Sequence, residues 1–207
     1  MRVLLKFCII KYNPYICDMN KTLIIHPSDK TTDFLKPIYE DIRYKTIITG
    51  GLYQSEVHSE IEKHDRILMM GHGSENGLYN FSDFMNCVYI IDHKSVPFLK
   101  GKECIFIWCN ADGFVNKYEL NGFYTGMFIS EVKEAEDCGL GRVEQKVVTE
   151  SNNRFARLMR DTIEKPLNKI YLDVSKRYGK LGLKNPVASY NTKRIYVLHG
   201  DADVIYG

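Results

Sequence analysis

Three short apolar runs at regular intervals constrain the fold of this chain most strongly. They cover 22–26, 45–49 and 66–70, and segments with a helical spacing of apolar residues separate them, at 32–42 and 55–63. Runs of aliphatic and β-branched residues of this length are typical of buried strands. Strands that alternate with helices over such short distances pair in parallel through right-handed crossovers. The pattern therefore predicts an α/β fold with a mainly parallel sheet.

The second half of the chain continues this pattern less regularly. Residues 112–122 are rich in glycine and asparagine and carry no predicted strand or helix. Further strands are predicted at 104–108, 126–130 and 194–199, a small hairpin from 77–80 and 88–92, and helical segments at 95–99, 151–160 and 167–178. Because the later strands again follow helical or irregular segments, they are expected to extend the same sheet.

The size and charge of the chain exclude several classes of protein. Its 207 residues are enough for one α/β domain, so 1–207 are taken as a single domain, and the sequence leaves open whether 1–18 belong to its core. A net charge of only +2, with no block of Lys and Arg, argues against nucleic-acid binding. The apolar and charged fractions indicate neither disorder nor insertion into a membrane.

The number and spacing of the cysteines indicate the cellular compartment of the protein. None of the six cysteines forms a Cys-x-x-Cys pair, so a disulfide framework or a zinc ribbon is disfavoured. The apolar N-terminal segment is interrupted by Lys6 and lacks a signal-peptide cleavage site. We therefore expect free thiols and a cytoplasmic protein.

Two of the predicted strands end on residues that carry chemistry. Strand 66–70 runs into Gly71-His72-Gly73, and strand 104–108 runs into Cys109. Reactive groups collect at the carboxyl ends of strands in open parallel sheets. Alone, a cysteine in this position is usually a small core residue and a histidine in a turn is usually solvated. Together they predict a nucleophile, Cys109, and a base, His72. Cys104 begins the same strand and is expected to be an inert core residue.

The order of these motifs resembles the caspase-like cysteine peptidases. That clan includes caspases, legumain, clostripain, gingipains, separase and bacterial CHAT-domain proteases, and the resemblance covers about 19–203, including the closing Tyr196–Asp201. It implies a three-layer sandwich with a mainly parallel six-stranded sheet between helices. It also implies that His72 is the base, that Cys109 is the nucleophile, and that the backbone amides of Gly73 and Cys109 form the oxyanion hole.

The same resemblance implies a protein or peptide substrate, no metal and no cofactor. It leaves open whether activation uses autocleavage, a partner or a homodimer. The segment Trp108–Gly113 differs from the Gln-Ala-Cys-x-Gly of true caspases, so a preference for aspartate is not implied. Within the clan, acidic pocket residues accompany a preference for Arg or Lys before the cleaved bond.

Three acids are therefore candidates for substrate binding. Glu131 after the predicted fifth strand is the first, Asp29 after the first strand is the second, and Asp112 beside the nucleophile is the third. For Glu131, an acid that opens a helix at Val132 is an equally good interpretation, since acids suit helix N-termini.

Other functions explain the same motifs less well. Gly71-x-Gly73-x-x-x-Gly77 with Asp92 downstream mimics a dinucleotide fingerprint, but the spacing is one residue too long and no good helix follows. A serine hydrolase at Ser74 lacks the Gly-x-Ser-x-Gly elbow. A non-catalytic module of the same fold that binds partners remains the main alternative to a cysteine endopeptidase.

Overall fold

The structure, a computed structural model, describes residues 22–80 and 89–198. Its strands are β1 (Thr22–Ile25), β2 (Lys45–Ile48), β3 (Arg66–Met70), β4 (Gly73–Ser74), β5 (Gly77–Tyr79), β6 (Tyr89–Ile91), β7 (Glu103–Ile107), β8 (Gly122–Thr125) and β9 (Ile195–Leu198). Within these described ranges, six strands form one sheet in the order β2-β1-β3-β7-β8-β9, and β4-β5-β6 form a small second sheet. The N-terminal segment 1–18 and the predicted strand end at His199 lie outside the described residues.

The large sheet is parallel except at one edge. β1 pairs in parallel with β2 and with β3, β3 pairs with β7, and β7 pairs with β8. The edge strand β9 is antiparallel to β8. The predicted α/β fold with a mainly parallel six-stranded sheet is therefore confirmed.

Helices cover both faces of this sheet. They are α1 (Pro37–Glu40), α2 (Gln54–Glu62), α3 (Val96–Leu99), α4 (Ala111–Tyr118), α5 (Val132–Asp137), α6 (Gln145–Arg160), α7 (Leu167–Gly182) and α8 (Pro186–Thr192). Successive strand residues point to opposite faces. Ile24 and Leu68 share one core with α1, α6 and α7, whereas Leu23 and Ile67 share the other with α2 and α4. This arrangement is the predicted three-layer sandwich.

The fifth strand lies earlier in the chain than predicted. The strand is β8, and the predicted strand at 126–130 is a loop that buries Phe128 and Ile129. Phe128 packs against Phe155 of α6, with 4.6 Å between the ring centroids. The prediction was wrong because a short apolar run does not by itself distinguish a strand from a buried loop.

The glycine- and asparagine-rich passage at 112–122 contains helix α4. Ala111, Phe114 and Val115 are buried and have the i, i+3, i+4 spacing of one apolar helix face. The turn-forming residues around them hid this pattern. One of these residues, Gly113, lies so close to Glu75 that a side chain there would clash.

Proline divides the first predicted helix. Instead of one helix over 32–42, a 3₁₀ turn covers Lys30–Leu35 and α1 begins at Pro37. Proline has no N–H to donate and is best accommodated at the first position of a helix. The predicted hairpin of 77–80 with 88–92 is confirmed by the antiparallel pairing of β5 with β6, and β4 adds a third short strand to it.

The C-terminal helices are more extensive than predicted. α6 begins at Gln145 rather than at 151, α7 continues to Gly182, and α8 was not predicted. Of three apolar residues in α7, Ile170 and Val174 are buried, whereas Leu172 is 49% exposed. Within the described ranges, no helix has the length and apolar character that crossing a bilayer requires.

Candidate active site

His72 and Cys109 lie at equivalent positions on neighbouring parallel strands. Met70 at the end of β3 is in register with Ile107 at the end of β7, so each candidate residue follows its strand by two positions. The Gly71 amide donates to the Ile107 carbonyl at 3.0 Å and extends the pairing toward the site. Both side chains line one narrow cleft with about 20 Å³ of free space, room for roughly one water molecule. The structure thus brings the two predicted residues together.

A tight turn presents Cys109 at the start of a helix. Asn110 adopts the left-handed conformation, with φ 63° and ψ 30°, and α4 begins at the next residue. Asparagine tolerates this conformation better than most residues with a side chain. The Thr125 hydroxyl and the Ala111 amide both donate to the Trp108 carbonyl, which fixes the strand before the turn. The nucleophile candidate therefore sits on a rigid strand–turn–helix corner.

The immediate neighbours of the Cys109 thiol keep it protonated. Its Sγ lies 3.5 Å from the Phe128 carbonyl oxygen and 3.9 Å from Oε1 of Glu134. Burial, and next the negative charge of Glu134, raise the pKa of Cys109 to about 12. At neutral pH this residue is a thiol rather than a preformed thiolate. Nucleophilic attack therefore requires a base that removes the proton.

A hydrogen-bonded chain through Thr31 and Asp29 holds the His72 ring at its Nε2 atom. The Thr31 hydroxyl lies 2.6 Å from His72 Nε2 and 2.6 Å from Oδ1 of Asp29, and the Thr31 amide donates to the same oxygen at 2.7 Å. Burial raises the pKa of Asp29, but the hydrogen bonds from Thr31 and the nearby His72 outweigh burial and leave it below its ordinary value. Asp29 is therefore a carboxylate that accepts hydrogen bonds.

These hydrogen bonds determine which tautomer His72 adopts. The Thr31 hydroxyl has one proton, which it donates to the Asp29 carboxylate, so its oxygen accepts a hydrogen bond from His72 Nε2–H. In the neutral imidazole, Nδ1 is then the basic nitrogen. An acid, a linking hydroxyl and a histidine thus form an orienting array like that of a catalytic triad.

Gly73 fits its place because it has no side chain. A Cβ atom there would clash with the Trp108 indole, whose Nε1 donates to the Ser74 carbonyl at 3.0 Å. The Tyr79 amide donates to the His72 carbonyl at 2.9 Å, and Gly73 is opposite Leu78 in the hairpin. Neighbouring residues of an antiparallel ladder alternate their hydrogen-bonding direction, so the Gly73 N–H is directed away from β5.

The three acids proposed for substrate binding lie in different surroundings. Glu131 precedes α5 as its N-cap, and its side chain also lines a cavity of about 360 Å³ next to the cleft. Asp29 caps the 3₁₀ turn and belongs to the chain that holds His72. Asp112, in the first turn of α4, lies beside Gly126. Only Glu131 of the three lines a cavity described next to the cleft.

Three further histidine, cysteine and serine residues near the sheet or hairpin have structural surroundings. His26 is buried between the Tyr39 hydroxyl at 3.0 Å and the Thr32 hydroxyl at 3.1 Å, and burial lowers its pKa to about 4. Cys104 is fully buried, and burial raises the pKa of its thiol. Ser74 Oγ lies 3.1 Å from the Tyr89 hydroxyl in the hairpin. Neither His26 nor Cys104 is in a state suited to catalysis.

Sequence reasoning missed two residues that shape this site. Thr31 is 41 residues from His72 and Glu134 is 25 residues from Cys109, so no local motif joins either residue to its partner. Glu134 also accepts hydrogen bonds from the Ser130 and Glu131 amides at 2.7 and 3.0 Å. This acid at the third helical position has the capping pattern that a sequence can reveal.

The glycine-rich segment after β3 does not form a phosphate loop. Gly73 and Gly77 belong to the β4–β5 hairpin, so the segment leads into strands rather than into a helix N-terminus. Among residues 22–80 and 89–198, no three His, Cys, Asp or Glu side chains gather closely enough to bind a metal ion.

Comparison with known proteins gives no relative from which to transfer a function. No protein-family model matches the chain, and a search of curated proteins found no significant match. The function is therefore argued from the site itself.

Replacing Glu134 by glutamine is expected to make Cys109 more reactive. The amide removes the negative charge near Sγ but can still accept hydrogen bonds from the Ser130 and Glu131 amides. Each unit by which the pKa falls raises the thiolate fraction about tenfold. We expect iodoacetamide to modify Cys109 about three- to tenfold faster at pH 8, measured for that residue by peptide mass spectrometry. Glu136→Gln, an exposed change on the same helix, should leave the rate unchanged, and an equal rise there would contradict this account.

Proposed function

We propose that this protein is a cysteine peptidase of the caspase-like type, with Cys109 as nucleophile and His72 as general base. One observation carries the proposal: His72 and Cys109 line a single cleft at the carboxyl edge of adjacent parallel strands. The orientation of His72 by Thr31 and Asp29 supports it, since a general base must present one defined nitrogen.

The proposed reaction follows the usual course of thiol-mediated acyl transfer. His72 Nδ1 takes the proton from Cys109 Sγ, and the sulfur attacks the carbonyl carbon of the scissile bond. The amides of Gly73 and Cys109 would hold the resulting oxyanion. The C–N bond breaks as His72 returns the proton to the leaving amine, which leaves a thioester on Cys109. A water deprotonated by His72 then attacks the thioester, breaks the C–S bond and restores the thiol.

Substrate binding must widen the cleft. A space of about 20 Å³ does not hold a side chain of a substrate. Phe34 lines both the cleft and the neighbouring cavity that contains Glu131. Movement of the half-buried Phe34 ring would join these two spaces into one groove that leads to Cys109.

The charge of that cavity weakens the expected preference for a basic residue. Glu131 shares the cavity with Lys30 and Lys133; Lys133 pairs with Asp137 at 2.7 Å, so Lys30 is the cation that offsets the Glu131 carboxylate. A site that selects Arg or Lys needs an excess of negative charge. Peptides with Arg, Lys or Asp before the scissile bond must therefore all be assayed.

A non-catalytic module is the second candidate, and two observations favour it. The Cys109 pKa of about 12 means that the thiol is not activated in this conformation, and the cleft has a volume of only about 20 Å³. The cellular compartment is a separate question. Among the described cysteines, Cys104, Cys109 and Cys138 are all free thiols, which fits a reducing compartment. We propose a cytoplasmic location on the same ground.

Reaction with a peptidyl acyloxymethyl ketone distinguishes the two functions. This electrophile alkylates a cysteine that is aligned for attack on a peptide carbonyl. We expect fluorogenic peptides to be cleaved and the ketone to label Cys109, identified by peptide mass spectrometry. Iodoacetamide serves as the control for general thiol exposure. If no peptide is cleaved and the ketone labels Cys109 no faster than it labels Cys138, the protein is a binding module.

A further inference from the structure

Cationic residues make up half of the lining of a large groove between helices α6 and α7. It encloses about 680 Å³, and we call it the basic groove. Its cationic lining residues are Arg154, Arg157, Arg160, Arg177, Lys180 and Lys184. Phe34, Ala156 and Leu181 supply apolar surface to it. The groove thus combines apolar surface with several positive charges, unlike an ordinary solvated helix face.

Few acids offset these cations. Asp161 lies 3.8 Å from Arg160 and 3.3 Å from Arg177, and thereby partly neutralises that end of the groove. Glu150 also lines the groove, and its Oε2 accepts a hydrogen bond from Asn185 at 3.0 Å.

The remaining four cations have no acidic partner. Within 22–80 and 89–198, no ion pair forms to Arg154, Arg157, Lys180 or Lys184. Crowding of like charges destabilises a protein unless a counter-charge is supplied. This end of the groove therefore attracts an anion.

The spacing of the arginines suits a compact ligand. Arg154, Arg157 and Arg160 follow each other at i, i+3 and i+6 along α6, a span of about 9 Å at the helical rise per residue. A volume of about 680 Å³ falls within the usual range of small-molecule sites. Because the whole chain has a net charge of only +2, the positive charge is concentrated here and does not extend into the long basic face that a nucleic acid requires.

The residue types indicate which anion binds. Four of the six cations are arginines, whose planar guanidinium groups form paired hydrogen bonds with phosphate oxygens. A phosphate group brings more negative charge into a given volume than a carboxylate does. We propose that the basic groove binds a small molecule that carries several clustered phosphate groups. The basic groove shares Phe34 with the His72–Cys109 cleft, but its six cationic residues lie outside that cleft, so the proposal does not depend on peptidase activity.

Isothermal titration with sodium tripolyphosphate, at constant ionic strength, tests the proposal on the full chain. We expect saturable one-to-one binding, weakened at least about tenfold by Arg154→Gln/Arg157→Gln. The matched control is Lys169→Gln/Lys176→Gln, which removes two exposed charges from α7 outside the groove and should change affinity less than twofold. Lys180→Gln/Lys184→Gln alters two exposed lining residues and gives a second groove variant if the arginine variant fails to fold.

Three results would overturn the proposal. If no binding is detected at millimolar tripolyphosphate, the proposal is wrong. Equal loss of affinity in the groove and control variants would mean diffuse attraction to the surface. Tighter binding of a hexaglutamate peptide or of an oligothymidylate, with the same dependence on Arg154 and Arg157, would make the groove a site for acidic peptide or nucleic acid instead.

Discussion

Replacing Cys109 by alanine is expected to lower kcat/KM for peptide cleavage by about 10⁴-fold or more. The substitution removes the only protein atom that forms a covalent bond to the substrate in the proposed mechanism, and the oxyanion donors alone sustain little turnover. The Cys109 Sγ contacts a carbonyl and a carboxylate, so the loss of this single sulfur atom should change stability only slightly. Initial rates with the best fluorogenic peptide give the activity, and thermal melting verifies the fold.

Cys104→Ala is the matched control for this experiment. Cys104 lies on β7, five residues before Cys109, with its side chain in the core on one face of the sheet. Its replacement should lower the melting temperature because a buried side chain becomes smaller, while kcat/KM stays within about twofold of the wild type. Full activity in Cys109→Ala, with a normal melting curve, would eliminate Cys109 as the nucleophile.

Replacing His72 by alanine is expected to lower kcat/KM by about 10³-fold. With its pKa raised to about 12 by burial and by Glu134, Cys109 depends on a base to lose its proton. General base catalysis typically contributes about 10²- to 10⁴-fold. Alkylation by the peptidyl ketone should fall in parallel with cleavage, since both require the thiolate. His58→Ala is the control, because His58 stacks on Phe98 and bonds to Ser95 on another part of the surface.

Substitutions of Thr31 distinguish the hydrogen bonds that orient His72 from the role of His72 as the base. Thr31→Val removes the hydroxyl that links Asp29 to His72, so the imidazole loses its fixed tautomer, and we expect kcat to fall about 10- to 100-fold. Thr31→Ser keeps the hydroxyl and should restore most of the activity. If valine and serine behave alike, the hydroxyl does not act through His72, and Thr31 contributes only to the 3₁₀ turn.

The strands that precede His72 and Cys109 were predictable because each is encoded by a short, local run of apolar residues. β1, β2, β3 and β7 each show as a compact apolar run, and both candidate residues follow directly on the ends of such runs. Parallel pairing then places the two residues at one edge without further information. The position of β8 was not predictable in this way, because Phe128 and Ile129 are as apolar as a strand but are buried in a loop. Helix α4 was hidden by Gly113 and the asparagines around it.

The sequence by itself determined the α/β fold and the placement of His72 and Cys109 at one edge of its sheet, since hydrophobic periodicity and strand ends are properties of short segments. Only the tertiary structure decided what surrounds those two residues. Thr31 and Asp29 reach His72 from the end of β1, and Glu134 reaches Cys109 from α5. The basic groove likewise exists only because α6 and α7 pack side by side. Such contacts depend on how distant segments meet, and this is why the state of the thiol could not be read from the motif that contains it.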